Sequence, residues 1–145
     1  MLAQAVAEAL DRTLPAAANA PGGLPLAYAC SGCSAAAQTA NALALRLDRA
    51  GLAEMSCIAG IGGDVPALLR VARSGRAIVA LDGCRLQCAR RCLERHAIPP
   101  TLHIDLSEAG VKKRLHADPE PEEIQRVWLG VLLPRLAALP TDLPK

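Results

Sequence analysis

The residues with the clearest chemical potential in this chain are its six cysteines: Cys30, Cys33, Cys57, Cys84, Cys88 and Cys92. Two small residues separate Cys30 from Cys33, and they permit a tight turn that directs both sulfurs to one point. Cys84 and Cys88 are spaced i, i+4, which on a helix places their Cβ atoms about 5–6 Å apart on one face. Because four thiolates complete a tetrahedral zinc shell, the two pairs predict a shared metal site if the fold brings them together.

The segments around these cysteines alternate between strand and helix. Short apolar runs predict strands at residues 24–29, 54–59, 77–81 and 101–106. Helices are predicted at residues 2–14, 34–50, from Asp64 to near Gly75, 84–97 and 122–139, the last one kinked at Pro134. Residues 15–25 are rich in proline and glycine and are predicted to form a linker. This order predicts an α/β three-layer sandwich with a four-stranded, mostly parallel, Rossmann/flavodoxin-like sheet in the order 2-1-3-4, extended by N- and C-terminal helices.

The predicted sheet gives the cysteines a common location. Ligands of open parallel sheets bind beyond the carboxyl ends of the strands, where the strand order reverses. In the order 2-1-3-4 the first and third strands are neighbours, so the Cys30/Cys33 and Cys84/Cys88 pairs converge there. Cys57 lies late in the second predicted strand and is either a buried residue or a further site cysteine. Cys92 falls on the same predicted helix face as Cys84 and Cys88, and it is either a core residue or a second-layer thiol.

Other residues near the strand ends are candidates for supporting roles. The run from Gly60 to Asp64 follows a predicted strand, so it forms either a tight turn or a backbone cradle for an anion or cluster. Asp82 either caps the next helix or supports the metal site, and Asp64 is expected to cap a helix with Pro66 in its first turn. The candidates for a second shell around the metal are Asp82, Gly83, Gly60, Gly62, Gly63, Ser31 and Ser34. The three histidines do not cluster and are interpreted as structural.

Composition narrows the class of protein. The chain has 145 residues, 52% of them apolar and 21% charged, which excludes a disordered chain. A net charge of +2 and almost no aromatic residues argue against nucleic-acid binding. We find no apolar stretch of the ~18 residues that span a membrane and no secretory signal at the N-terminus. A cytoplasmic location is therefore expected, where thiols stay reduced and clustered cysteines bind metals or carry redox chemistry.

Three motifs in order resemble the DGC-domain family, a group of proteins to which zinc binding is attributed. These are the segments 30–34 (CSGCS), 57–63 (CIAGIGG) and 82–84 (DGC) with Cys88 and Ala89 following, and the resemblance covers roughly residues 27–112. It implies a small bacterial-type protein with a cysteine site for zinc but no defined activity. By motif position, Cys30, Cys33, Cys84 and Cys88 are the implied ligands, and Cys57 is a possible substitute. Cys92 lies outside the pattern, and Arg85 stands where a proline is frequent.

A single domain over residues 1–145 is therefore predicted. It comprises an N-terminal helix and linker (1–22), a DGC-like cysteine domain (24–112) and a C-terminal helical extension (119–145). The expected function is zinc binding with a structural or a metal- or thiol-handling role, and whether the protein is an enzyme is left open. The alternatives are redox chemistry or the handling of sulfur, selenium or arsenic through Cys30 and Cys33, and an iron–sulfur cluster. The apolar segment 127–133 predicts a homodimer through the C-terminal helix, and no nucleic-acid or membrane partner is expected.

Overall fold

A parallel sheet of four strands forms the centre of the computed structural model, which describes residues 23–139. The strands are β1 (Leu26–Ala29), β2 (Glu54–Met55), β3 (Ile78–Asp82) and β4 (Leu102–Asp105). They lie in the order β2-β1-β3-β4 and all neighbouring pairs are parallel. The predicted fold class and strand order are thus confirmed. β1 and β3 are buried along their whole length, as expected for strands covered on both faces.

Helices cover both faces of the sheet. Along the chain they are α1 (Ala35–Arg49), α2 (Ile58–Gly62), α3 (Pro66–Ala72), α4 (Cys88–Arg95), a 3-10 turn (Leu106–Ala109), α5 (Pro121–Val127), a π-helical segment (Trp128–Leu132) and α6 (Leu133–Ala137). One apolar core contains Ala27, Val79 and Leu81 together with α1 and the C-terminal helical segments. The other contains Tyr28 and Ala80 together with α2, α3 and α4. Because alternate residues of β1 and β3 face opposite cores, the sheet is the middle layer of a sandwich.

The boundaries of α1 follow the signals in the sequence. The Ser34 side chain accepts a hydrogen bond from the amide of Ala37 at 3.1 Å and so caps the helix. Gly51, two residues past the last helical residue, has a φ of +70°, a conformation in which glycine costs little. The predicted N-cap and the glycine stop signal are therefore confirmed.

The second predicted strand and the helix after it differ from expectation. β2 ends at Met55 rather than continuing to residue 59, because residues from Ile58 onward turn into α2. The prediction that Asp64 caps the following helix is also wrong, since Val65 occupies the N-cap position of α3. Asp64 has a φ of +60°, and its carboxylate instead lies 2.8 Å from the imidazole Nε2 of His96.

The C-terminal helical segment packs against the sheet and is irregular before Pro134. The predicted kink takes the form of the π-helical turn Trp128–Leu132. We attribute this turn to Pro134, which has no amide hydrogen to continue the regular helical pattern. Trp128 is only 2% exposed, and the Arg46 guanidinium lies over its ring at 4.6 Å from the centroid. Within residues 23–139, no helix combines the length and the apolar character needed to cross a bilayer.

Two of the predictions extend beyond what is described. The N-terminal helix at residues 2–14 and most of the linker lie outside the described residues, as does the end of the chain from residue 140. The homodimer stays a prediction. It was expected from the apolar character of the segment 127–133, and four residues of that segment are buried in this chain's own core: Val127, Trp128, Leu132 and Leu133.

Candidate metal centre

The candidate site lies at the carboxyl edge of the sheet, where β1 and β3 end side by side. Ala29 pairs with Leu81 in the strand register, and the amide of Cys30 donates to the carbonyl of Leu81 at 3.0 Å. β3 ends at Asp82, so Cys84 follows two residues later. The prediction that the first and third strands are adjacent is thus confirmed. This adjacency places the loop that carries Cys30 beside the loop that carries Cys84.

Gly83 joins these two loops. Its amide donates a hydrogen bond to the Sγ of Cys30 at 3.1 Å, so the backbone after β3 orients the first cysteine. A Cβ at this position would lie 2.5 Å from the carbonyl carbon of Ala36, which is backbone of α1. The middle residue of the Asp-Gly-Cys tripeptide therefore allows the end of β3 to approach the start of α1 more closely than any side chain permits.

Cys30 is a half-buried thiol whose environment favours the neutral form. Burial is the largest cause that raises its pKa to about 11, although the Gly83 amide acts in the opposite direction. The negative charges of Asp82, Cys88 and Cys84 raise the pKa further, in that order. Cys30, Cys84 and Cys88 all lie on the segments that follow β1 and β3 at this edge of the sheet. A metal bound there would have to displace the proton of Cys30.

The predicted helical pairing of Cys84 with Cys88 is wrong. α4 begins at Cys88, and Gln87 before it has a φ of +53°. Cys84 instead begins a turn, in which its carbonyl accepts from the amide of Gln87 at 3.1 Å. The left-handed conformation of Gln87 interrupts the helical path, and glutamine gives no sequence signal for it. The two cysteines are therefore on successive structural segments and not on one helix face.

Asp82 fixes where α4 begins. The N-cap position itself is Gln87 and not Asp82, but the Asp82 carboxylate accepts hydrogen bonds from the first-turn amides of Ala89 at 2.8 Å and Arg90 at 3.1 Å. The same carboxylate lies 2.8 Å from the Nε2 of His103 on β4. His103 was expected to be structural, and it anchors the Asp82 carboxylate that holds the first turn of α4. The alternation of β4 places it on this face, but its partner could not be identified from the sequence.

A lysine that the sequence did not single out contacts the site. The Nζ of Lys113 lies 3.6 Å from the Sγ of Cys84 and donates to it. Beside the pair lies a shallow depression of about 310 Å³, lined by Cys84, Arg85, Leu86, Ser107 and Lys113. Lys113 follows β4 by eight residues in an irregular loop, so no periodicity or spacing linked it to Cys84.

Cys33 occupies the exposed part of the first cysteine loop. Gln38 holds this loop by donating from its side-chain amide to the carbonyl of Gly32 at 2.7 Å. Ser31 is exposed, whereas Ser34 is buried and its hydroxyl caps α1. Of the two serines proposed to support the site, Ser34 therefore has a structural explanation of its own.

Cys57 lies at the N-cap position of α2 and is exposed, so its predicted place on a strand is wrong. Its carbonyl accepts from the amides of Gly60 and Ile61 as the helix starts. Gly60 and Gly62 are helical residues, and Gly63 is the C-cap. A Cβ at Gly60 would lie 1.9 Å from the Cδ1 of Leu68, so this glycine permits α2 to pack closely against α3.

Cys92 lies on α4, four residues after Cys88, and is partly exposed. It packs against the core layer that contains Tyr28 and Leu93. Burial is the main cause that raises its pKa, and the charge of Cys88 raises it further. The predicted helix face shared by Cys92, Cys84 and Cys88 is wrong for Cys84, which precedes α4. Contact of Cys92 with the core is observed.

The donor chemistry of the sheet edge suits zinc, but the side chains are not assembled around a point. In residues 23–139, no group of three or more cysteine, histidine or acidic side chains is placed to hold a metal ion. Cys30, Cys84 and Cys88 follow the neighbouring strands β1 and β3, and their thiols are soft ligands that zinc accepts. Metal binding at this edge therefore requires thiol side chains to reorient.

Comparison with known proteins identifies the family. No solved structure matches this chain significantly. The chain is 65% identical, over 106 residues, to the anaerobic and virulence modulator AnvM of Pseudomonas aeruginosa strain PAO1. That alignment covers 73% of this chain and 81% of the relative. The model of the DGC domain matches residues 26–131, which include β1 to β4 and the cysteines at their carboxyl edge. On this match, the chain belongs to the DGC domain family.

Proposed function

We propose that this protein binds one zinc ion through cysteine thiolates at the carboxyl edge of its sheet. The ligands would be Cys30, Cys33, Cys84 and Cys88, with Cys57 as the possible substitute. The observation that carries the proposal is the hydrogen bond from the Gly83 amide to the Sγ of Cys30 at 3.1 Å. This contact ties the first cysteine loop directly to the residue that precedes Cys84.

Several groups around the thiols suit a bound metal. Four thiolates would leave a zinc site with excess negative charge, and Lys113 at 3.6 Å from the Cys84 sulfur can offset part of it. Arg85 adds a second cation at the same depression. Asp82, itself buried, holds the amides after Cys88 and thereby the start of α4. Hydrogen bonds of this kind keep ligand-bearing segments in place.

The proposed role is structural, or the handling of metals or thiols, in the cytoplasm. Bound zinc would supply a redox-inert cross-link between the loops after β1 and β3. A cytoplasmic location would keep these thiols reduced and available as ligands. The relative's description as an anaerobic and virulence modulator fits a regulatory use of such a site, and we extend that role to this chain only as part of the proposal.

Elemental analysis of protein purified under reducing, chelator-free conditions tests the proposal. We expect about one zinc per chain, as one four-thiolate site requires. The Cys84→Ser variant should lose the metal and unfold at lower urea concentration, whereas the matched Cys92→Ser variant should keep the metal. Equal metal loss in both variants would overturn the ligand assignment.

Two other outcomes would replace zinc with another chemistry. Metal-free protein that forms a reversible Cys30–Cys33 disulfide would favour thiol redox chemistry. The raised pKa of Cys30 makes it a poor attacking thiol, which is why we place this function second. A brown protein with visible absorbance would instead indicate an iron–sulfur cluster.

A further inference from the structure

α4 carries a pair of thiols that the proposed zinc site does not use as a pair. Cys88 is the first residue of this helix and Cys92 lies four residues later on the same continuous segment. Residues at this spacing have Cβ atoms about 5–6 Å apart, and side-chain rotation can bring their sulfurs closer. The sequence predicted two cysteines spaced i, i+4 on this helix at Cys84 and Cys88. In the structure the pair with that spacing on the helix is Cys88 and Cys92.

The pair is reachable from solvent. Cys88 is exposed and Cys92 is partly exposed. The neighbouring helix α2 presents Gly62 to this side, and a Cβ there would lie 3.4 Å from the Sγ of Cys92. Any larger side chain at position 62 would therefore begin to cover the thiol. The glycine leaves an approach to Cys92 between α2 and α4.

The number of donors selects the class of ligand. A zinc ion needs four protein ligands in a closed site, and no third cysteine, histidine or acidic side chain in residues 23–139 completes a metal-binding group with this pair. A monosubstituted trivalent arsenical needs only two sulfurs, because it brings its own bond to carbon. We propose that Cys88 and Cys92 form a dithiol site that chelates a trivalent organoarsenical.

The binding step is balanced without an oxidant or a reductant. Two arsenic–sulfur bonds form as the arsenic–oxygen bonds of the arsenical break. The oxygen leaves as water and carries the protons of the two thiols. Arsenic remains trivalent and both sulfurs keep their oxidation state. The site shares Cys88 with the proposed zinc site, so zinc and the arsenical compete for that thiol, but a chelated arsenical needs neither Cys30 nor Cys33.

Phenylarsine oxide added to the purified full-length protein, kept reduced with a phosphine, tests this proposal by mass spectrometry. Trypsin cleaves after Arg90 and Arg91, between the two cysteines, so they fall on separate peptides, 86–90 and 92–95. We expect one phenylarsenic group bridging these two peptides. The reaction is run on both metal-free and purified metal-containing protein: the metal-free sample shows whether the bridge forms, and zinc release from the other sample reports separately on the proposed function.

Variants make the assignment specific. Cys92→Ser should lose the bridged peptides, and the matched control Cys57→Ser should keep them. Gly62→Val should slow formation of the bridge about tenfold, equivalent to about 1.4 kcal/mol in the barrier. If Cys92→Ser fails to fold, the presence or absence of bridged peptides 86–90 and 92–95 in the natural protein still tests whether Cys88 and Cys92 chelate the arsenical.

Arsenic found elsewhere would overturn the proposal. A modification confined to peptide 13–46 would assign the arsenical to Cys30 and Cys33. A bridge between peptides 77–85 and 86–90 would assign it to Cys84 and Cys88. Absence of any bridge to peptide 92–95 would show that the helical pair does not chelate.

Discussion

Replacing Gly83 with alanine tests the packing that places the two cysteine loops together. The added Cβ would lie 2.5 Å and 2.6 Å from the carbonyl carbon and oxygen of Ala36, and 2.7 Å from the amide nitrogen of Ala37. All three atoms are backbone, so no flexible side chain can move aside. Either α1 or the end of β3 must retreat by roughly 0.5 Å to reach even a separation of 3.0 Å.

The expected cost follows from two opposing terms. Overpacking at a close contact destabilises a protein by about 1–3 kcal/mol. Alanine also restricts the unfolded chain relative to glycine, which returns about 0.4–1 kcal/mol. We therefore expect Gly83→Ala to lower the free energy of unfolding by about 1–2 kcal/mol. With a urea m-value of about 1–3 kcal/mol/M, the midpoint should fall by about 0.3–2 M.

Urea titration followed by fluorescence measures this change, because Trp128 is the sole tryptophan and is buried. Gly130→Ala is the matched control. A Cβ at Gly130 meets no atom within 4 Å, and alanine in a helix is favoured over glycine by about 1 kcal/mol. The control variant should therefore be as stable as the natural protein or more stable. Equal stability of the two variants, or a more stable Gly83→Ala protein, would refute the close-packing argument.

Three further predictions concern single groups. Asp82→Ala should lower stability by about 2–4 kcal/mol, measured by urea titration, because two amides and the imidazole of His103 lose their acceptor. Folding raises the pKa of Cys30 from 9.0 to about 11, so its alkylation by iodoacetamide at pH 8 in metal-free protein should be about a hundredfold slower than in urea. Equal alkylation rates in the two conditions would contradict the burial of this thiol. The free energy of unfolding should also fall as the pH rises from 9 to 11, because the unfolded chain loses this proton first. Ser34→Ala should cost about 1 kcal/mol of thermal or urea stability through loss of the α1 cap, whereas Ser31→Ala, at an exposed position, should change little.

The sheet and its order could be predicted from the sequence because their determinants are local and strong. β1 is a short apolar run, β3 is apolar up to its last residue, Asp82, and α1 is flanked by a capping serine and a glycine. Alternating strands and helices leave few topologies. The location of the cysteine loops then follows from the topology alone.

The details of the site could not be predicted because they depend on tertiary contacts. The left-handed Gln87 moves the start of α4 from residue 84 to Cys88, and no residue type announces it. The contact of Lys113 with Cys84 joins residues 29 positions apart. The partnership of His103 with Asp82 likewise depends on the register of β4 against β3. Sequence patterns give the segments, whereas these contacts decide which side chains face each thiol.

The brevity of β2 has a consequence for how copies of this chain meet one another in concentrated solution. An outer strand exposes unpaired amides and carbonyls that can recruit further strands, and proteins commonly shorten or interrupt such strands. Here the outer strand beside β1 has two residues, after which the chain folds into α2. A sheet whose two central strands are almost entirely apolar thus offers on that side only a minimal template for intermolecular β-pairing and amyloid-like growth.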